Sequence, residues 1–184
     1  MRNSKFNLVT MMQKDPPTTP VDKTLLAAID LGSNSFRLEI GRFESGHIQR
    51  VEYLKEAVRQ GGDLDENRNL TPESMERGIR CLARFGERLQ GFNPRHVRAV
   101  ATQTMREANN RDVFIKLAKK ALGFDVEVIS GVEEARLIYK GVSRFLPQSS
   151  ERRLVIDIGG RSTEFILGQK FTSQHTTSLH VGSV

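Results

Sequence analysis

The sequence predicts an α/β fold: one lobe built on a mixed sheet, followed by the first strands of a second, similar lobe. Three observations predict it. The element signals run strand–strand–strand, then helix–strand–helix–strand–helix, which is the order of a three-strand meander continued by parallel crossovers. After Pro147 the strand–turn–strand pattern starts again. And the same acidic glycine turn occurs twice, as Asp30-Leu31-Gly32-Ser33-Asn34-Ser35 and as Asp157-Ile158-Gly159-Gly160-Arg161-Ser162-Thr163-Glu164, each directly after an apolar run.

Residues 1–23 hold Pro16, Pro17 and Pro20 among Thr, Asn and Lys without a period, and are expected to form a flexible tail. Strands are expected over about 25–30, 36–43 and 47–53, the last two joined by Glu44-Ser45-Gly46. A polar loop follows at 60–67. Thr71-Pro72-Glu73 then opens a helix with a capping hydroxyl, a proline at the first position and an acid in the first turn. Met75, Ile79, Leu82, Phe85 and Leu89 give that helix an apolar face, and Gly91 is its expected stop. Cys81 lies beside the stripe and reads as a packing residue. A strand is expected at 97–101, a helix at about 112–122 stopped by Gly123, a strand at 126–129 and a helix at 131–145 with Ala135, Ile138, Val142 and Phe145 on one side. Strands near 153–158, 163–168 and 174–181 complete the pattern. The expected organisation is a tail (1–23), a first lobe (24–148) and the start of a truncated second lobe (152–184), in which case the chain is the N-terminal fragment of a longer two-lobed protein.

Composition narrows the function classes. With 184 residues the chain can bury a proper core, and a net charge of +6 favours an anionic partner. No basic stripe interleaved with aromatics is present, which argues against nucleic acid. No apolar run approaches the ~18 residues of a membrane helix. The single cysteine excludes an internal disulfide and suits a reducing cytoplasm.

The chemistry sits at the turns. Glycine lets the backbone approach a ligand, and N–H groups there cradle phosphate oxygens; the aspartates make sense beside a divalent metal or its waters. Ser130-Gly131-Val132-Glu133 has capping-box spacing, which gives Glu133 a structural task and leaves Glu134 without one. Glu134 is a candidate general base at the edge of a cleft, though by spacing alone a solvated first-turn acid is the commoner outcome. Arg106, just beyond the strand ending at Ala101, is placed to meet an anion, although such an arginine is more often a surface residue. His47, His96, His175 and His180 form no cluster.

Four ordered motifs carry a resemblance that covers about residues 24–184. They are Ala28-Ile29-Asp30-Leu31-Gly32-Ser33-Asn34-Ser35-Phe36, Gly78-Ile79-Arg80-Cys81-Leu82, Ile129-Ser130-Gly131-Val132-Glu133-Glu134-Ala135-Arg136-Leu137-Ile138, and Val155-Ile156-Asp157-Ile158-Gly159-Gly160 with Ser162-Thr163-Glu164. The chain resembles the N-terminal part of the exopolyphosphatase and guanosine pentaphosphate phosphohydrolase family, within the actin-like, sugar-kinase-like (ribonuclease H-like) superfamily. The resemblance implies hydrolysis of a terminal phosphoanhydride of polyphosphate or guanosine pentaphosphate, with magnesium as cofactor and a homodimer for the full-length protein. It implies Glu134 as the base that activates water, Glu164 lining the site and Arg106 holding a phosphate. It further implies Asp30 and Asp157 organising the metal, and Gly32, Ser33, Asn34, Ser35, Gly159, Gly160 and Ser162 contacting phosphates. Arg161 departs from the family pattern, which commonly has a third glycine there. A left-handed backbone at that position would strain the arginine; otherwise it adds a phosphate contact. The competing readings are a module that binds such anions without turnover and a kinase of the same superfamily. A fragment lacking half of the cleft wall is expected to be weakly active or inactive.

Overall fold

The computed structural model describes residues 23–147 and 149–184, so the expected tail lies, but for Lys23, outside the described residues. Strands β1 (Leu25–Leu31), β2 (Ser35–Glu44) and β3 (His47–Ala57) form an antiparallel meander. Helix α1 (Pro72–Arg88) leads into β4 (Val97–Ala101), which pairs parallel with β1. The short helix α2 (Gln103–Glu107) and helix α3 (Arg111–Leu122) precede β5 (Val126–Val128), parallel to β4. The first sheet therefore has the order β3-β2-β1-β4-β5 and is mixed, as the element order predicts. Helix α4 (Gly131–Phe145) connects it to a second, antiparallel sheet of β6 (Arg152–Ile158), β7 (Thr163–Gln169) and β8 (Thr172–Leu179).

Strand β1 is buried on both faces, which is why it reads as an unbroken apolar run. Ala27, Ile29 and Leu31 join Phe36, Leu82, Phe85 and Phe114 in a core under α1 and α3. Phe36 and Phe114 meet edge to face at 6.5 Å between centroids. Leu26 and Ala28 point the other way, into a core with Val100, Ile129 and Leu137 of α4. The opposite flank of α4, with Ala135, Ile138 and Tyr139, packs against Ile166 of the second sheet. One helix thus serves two sheets. That corrects the single apolar side expected for it: Leu137 is buried toward one sheet, Ile138 toward the other, and Phe145 is left 67% exposed at the helix end.

Three other expectations change. The expected face of α1 packs into the core, with Leu82, Phe85 and Leu89 buried and Met75 and Ile79 against them, but it is wider than the stripe and takes in Ser74, Gly78 and Cys81. Cys81 is in the core itself, where burial pushes its thiol up to about 12, followed in effect by the Glu56 carboxylate. The polar stretch after β3 contains a 3-10 turn, Gln60–Asp63, in which Gln60 is buried and donates through Nε2 to Ser74 O at 3.2 Å. Helix α1 ends at Arg88 rather than at Gly91, which instead takes the left-handed conformation (φ 82°) in the following turn.

Candidate active site

The two glycine turns are hairpins with the same register. In the first, Asp30 pairs across the ladder with Arg37 and Leu31 with Phe36. In the second, Asp157 pairs with Glu164 and Ile158 with Thr163. Both turns need glycine for close approach: a Cβ at Gly32 would lie 3.0 Å from Ser35 O, and one at Gly159 2.9 Å from Ser162 O. Among the described residues with positive φ, neither Gly159, Gly160 nor Arg161 appears, so Arg161 is unstrained. The tips of the two hairpins meet. A Cβ at Gly160 would lie 3.0 Å from both Ser33 Cβ and Asn34 Nδ2.

The expected loop residues are held as follows. Ser33 and Ser35 are buried, and Ser33 Oγ accepts from Thr104 Oγ at 2.8 Å. Asn34 O accepts from Val58 N and Arg59 N, and Ser33 O from Gly61 N, which ties the first turn to the 3-10 segment. Ser162 is buried, and its carbonyl closes the second turn by accepting from Gly159 N at 2.8 Å. The Gly159 N–H is therefore engaged within the turn.

Helix α4 starts where the sequence says. Ser130 is the N-cap, and its Oγ accepts from Glu133 N at 3.1 Å. The reciprocal arm of the capping box is replaced: the Glu133 carboxylate accepts from Arg136 Nε and Nη2 at 2.6 and 2.7 Å. The Arg136 hydrogen bond, against the opposing effect of burial, holds Glu133 below the usual carboxylate range.

Glu134 behaves in the opposite way. Its side chain is 16% exposed and faces the interior, where Arg106 Nη1 donates to its Oε2 at 2.9 Å. Arg106 is itself fixed from two sides, donating through Nη1 to Ile129 O at 2.9 Å and through Nε to Gln103 Oε1 at 2.8 Å. Burial, and then the nearby negative charge of Glu164, push Glu134 up to about 7; Arg106 opposes the shift and Asp30 adds to it. Glu164 on β7 is fully buried, and its Oε1 accepts from Ser178 Oγ of β8 at 2.9 Å. Two buried polar atoms in this group have no hydrogen-bond partner: Arg106 Nη2 and Glu164 Oε2. Such orphans are rare and costly, and they mark where a polar ligand or water belongs.

Asp30 and Asp157 are both buried, and Arg37 Nη1 stands 3.4 Å from Asp30 Oδ2. Among the described residues no three acids, histidines or cysteines approach closely enough to grip a metal directly. A hydrated magnesium ion does not need such a cage, since it keeps several waters and takes one or two carboxylates. The buried Asp30 and Asp157 could hold such an ion through its waters.

A model of the Ppx/GppA phosphatase family matches residues 40–184. The chain belongs to this family. It is 48% identical over 164 residues to a guanosine-5'-triphosphate,3'-diphosphate pyrophosphatase of Vibrio atlanticus, covering 89% of this chain and 33% of that protein. The crystal structure of an exopolyphosphatase from Cytophaga hutchinsonii superposes with a TM-score of 0.80 at 34% identity, over 86% of this chain and 51% of that one. The Aquifex aeolicus family member gives 0.75 at 30% identity, over 86% and 52%. A type IV pilus protein complex, PilM–PilN, shares the fold at 12% identity with a TM-score of 0.53. The chain thus spans about a third of the length of the curated pyrophosphatase it matches.

The family motifs supplied Glu134, Arg106 and Glu164, which the structure brings together around two unpaired atoms. Sequence reasoning missed the residues that hold them. Gln103 and Glu107 lie on α2, a helix of five residues too short for a periodic signal. Arg37 and Ser178 are found only through strand register, which places them beside Asp30 and Glu164. No helix of the described residues is long and apolar enough to cross a membrane.

Proposed function

We propose that this chain carries the water-activating side of a phosphoanhydride hydrolase that releases terminal phosphate from polyphosphate or from guanosine pentaphosphate. The observation that carries the reading is Glu134: a buried carboxylate pushed up to about 7, held by Arg106, beside two unpaired buried polar atoms. A base tuned near neutrality is matched to removing a proton from water at physiological pH. The names of the relatives support both substrates and do not separate them.

In this mechanism the ionised Glu134 orients a water molecule and takes its proton. The water oxygen bonds to the terminal phosphorus as the anhydride P–O bond breaks, and the shortened phosphate chain leaves in line. Arg106 Nη2 supplies a fixed positive donor for the phosphoryl oxygens, and Gly32, Gly160 and Ser162 supply close backbone approach. Asp30 and Asp157 would hold magnesium and its waters, which neutralises charge on the phosphate chain when bound, and Glu164 lines the site beside them. The expected result is weak phosphate release that Glu134→Gln lowers by about 10²- to 10⁴-fold while polyphosphate binding persists. Loss of binding together with release would instead point to a purely structural role for Glu134.

A further inference from the structure

Arg161 is the residue that departs from the glycine pattern of the second turn, and the structure shows where its side chain goes. It does not enter the space beside Glu134. Arg161 Nε and Nη2 donate to Glu107 Oε2 at 3.1 and 2.5 Å, and Nη1 donates to Gly61 O at 2.7 Å. Its stem lies flat on the 3-10 segment: a Cβ at Gly61 would come within 3.0 Å of Arg161 Cδ. One side chain of the second hairpin therefore grips two elements of the first sheet's lobe.

The contact continues inward. Glu107 Oε1 accepts from Gln103 Nε2 at 2.7 Å, and Gln103 Oε1 accepts from Arg106 Nε at 2.8 Å. Arg106 Nη1 then donates to Glu134. Each link uses a different atom of its residue, so the chain Arg161–Glu107–Gln103–Arg106–Glu134 is continuous. Burial alone would raise Glu107, but Arg161, then Gln103, hold it below the usual carboxylate range, so it stays a charged acceptor. Gln103 is 2% exposed and has no room to seek other partners in solvent. Its amide is oriented by the carboxylate on one side and the guanidinium on the other.

We infer that Arg161 is a positioning residue: through Glu107 and Gln103 it fixes the Arg106 guanidinium against the base, and so couples docking of the second phosphate turn to the geometry of the reacting site. The catalytic meaning of this rests on the reading of Glu134 and Arg106 given above; the coupling itself does not. Arg161 makes three donor contacts from a planar fork, which a lysine cannot reproduce. The same contacts leave its guanidinium occupied, in contrast to a direct phosphate ligand. A recess of about 200 Å³ lined by Arg68, Glu107, Arg161, His180, Gly182 and Val184 adjoins the pair and gives solvent a route to it.

The test reads Arg106 directly. In the 184-residue chain, the Arg106 Nε–H proton is followed by nuclear magnetic resonance in the parent, Arg161→Ala, Glu107→Gln and the double variant. Its exchange with solvent is expected to quicken by about tenfold or more in each single variant, the loss of one charge-assisted hydrogen bond in the chain. The double variant is expected to match the single ones, because both cut the same relay. Arg161→Lys is expected to restore little. Unchanged Arg106 exchange in Arg161→Ala, with only the amides of 159–162 loosened, would overturn the inference and leave Arg161 a local clamp. Additive effects in the double variant would overturn it as well. Should Arg161→Ala fail to fold, Glu107→Gln alone decides, since it keeps the side-chain shape. None of these readouts requires turnover, so they stand apart from the outcome of the hydrolysis experiment.

Discussion

The two glycine hairpins share one backbone plan and differ in the residue that faces their aspartate. Across from Asp30 the ladder places Arg37; across from Asp157 it places Glu164. In the first hairpin the acid meets a cation at 3.4 Å. In the second, two carboxylates share a ladder position, and one of them is completely buried with an unpaired oxygen. Glu134 sits among Arg106, Glu164 and Asp30, and of the two acids Glu164 raises it more. The same turn therefore does two jobs. The first hairpin sets a cation beside its acid, so Asp30 raises Glu134 less than Glu164 does, and it anchors the site to the main core. The second brings Glu164, the larger of the two negative charges that raise Glu134.

The largest effect expected is at the group both hairpins surround. Glu134→Gln should lower phosphate release by about 10²- to 10⁴-fold with little change in polyphosphate affinity, as judged by steady-state release and equilibrium binding. Next come the paired glycines. Gly32→Ala and Gly159→Ala each push a Cβ against a backbone carbonyl, so each should cost about 1–3 kcal/mol in urea unfolding. A much smaller cost at either position would break the equivalence of the two turns.

The pH profile separates the hairpins. A base at about 7 must lose its proton to act, so release should rise with pH through that region. Glu164→Gln removes a raising charge and should move the acid limb down. Arg37→Gln removes a positive charge beside Asp30 and should move it up, by less. Stability follows the opposite course: a carboxyl raised in the folded state favours folding while protonated, so this contribution is complete below the usual carboxylate range and lost as pH rises through about 7. Glu134→Gln should remove that dependence, which thermal melts across the range would show. The smallest effect is at the helix start: Ser130→Ala should cost about 1 kcal/mol, through the lost cap to Glu133 N.

Much of this was legible before the fold was seen. Periodicity and caps placed α1, α3 and α4, and the paired turns announced two hairpins. What the sequence hid was tertiary. The periodic stripe of α4 suggested one apolar side, because a helix packed between two sheets carries two overlapping stripes, with Leu137 on one and Ile138 on the other. The capping-box spacing gave Glu133 a backbone partner, but Arg136 lies one turn away and offers a charged, bidentate one. Arg161 looked like a strained loop residue or a phosphate ligand. Its partners, Glu107 and Gly61, are distant in sequence, and no local pattern pairs them.

The most direct test of the central claim compares phosphate release from long-chain polyphosphate with magnesium by this chain and by its Glu134→Gln variant, with polyphosphate binding measured on the same samples. The account predicts binding by both and release, weak for an incomplete cleft, by the parent alone. Equal release by the variant, or polyphosphate binding lost in the variant, would contradict it.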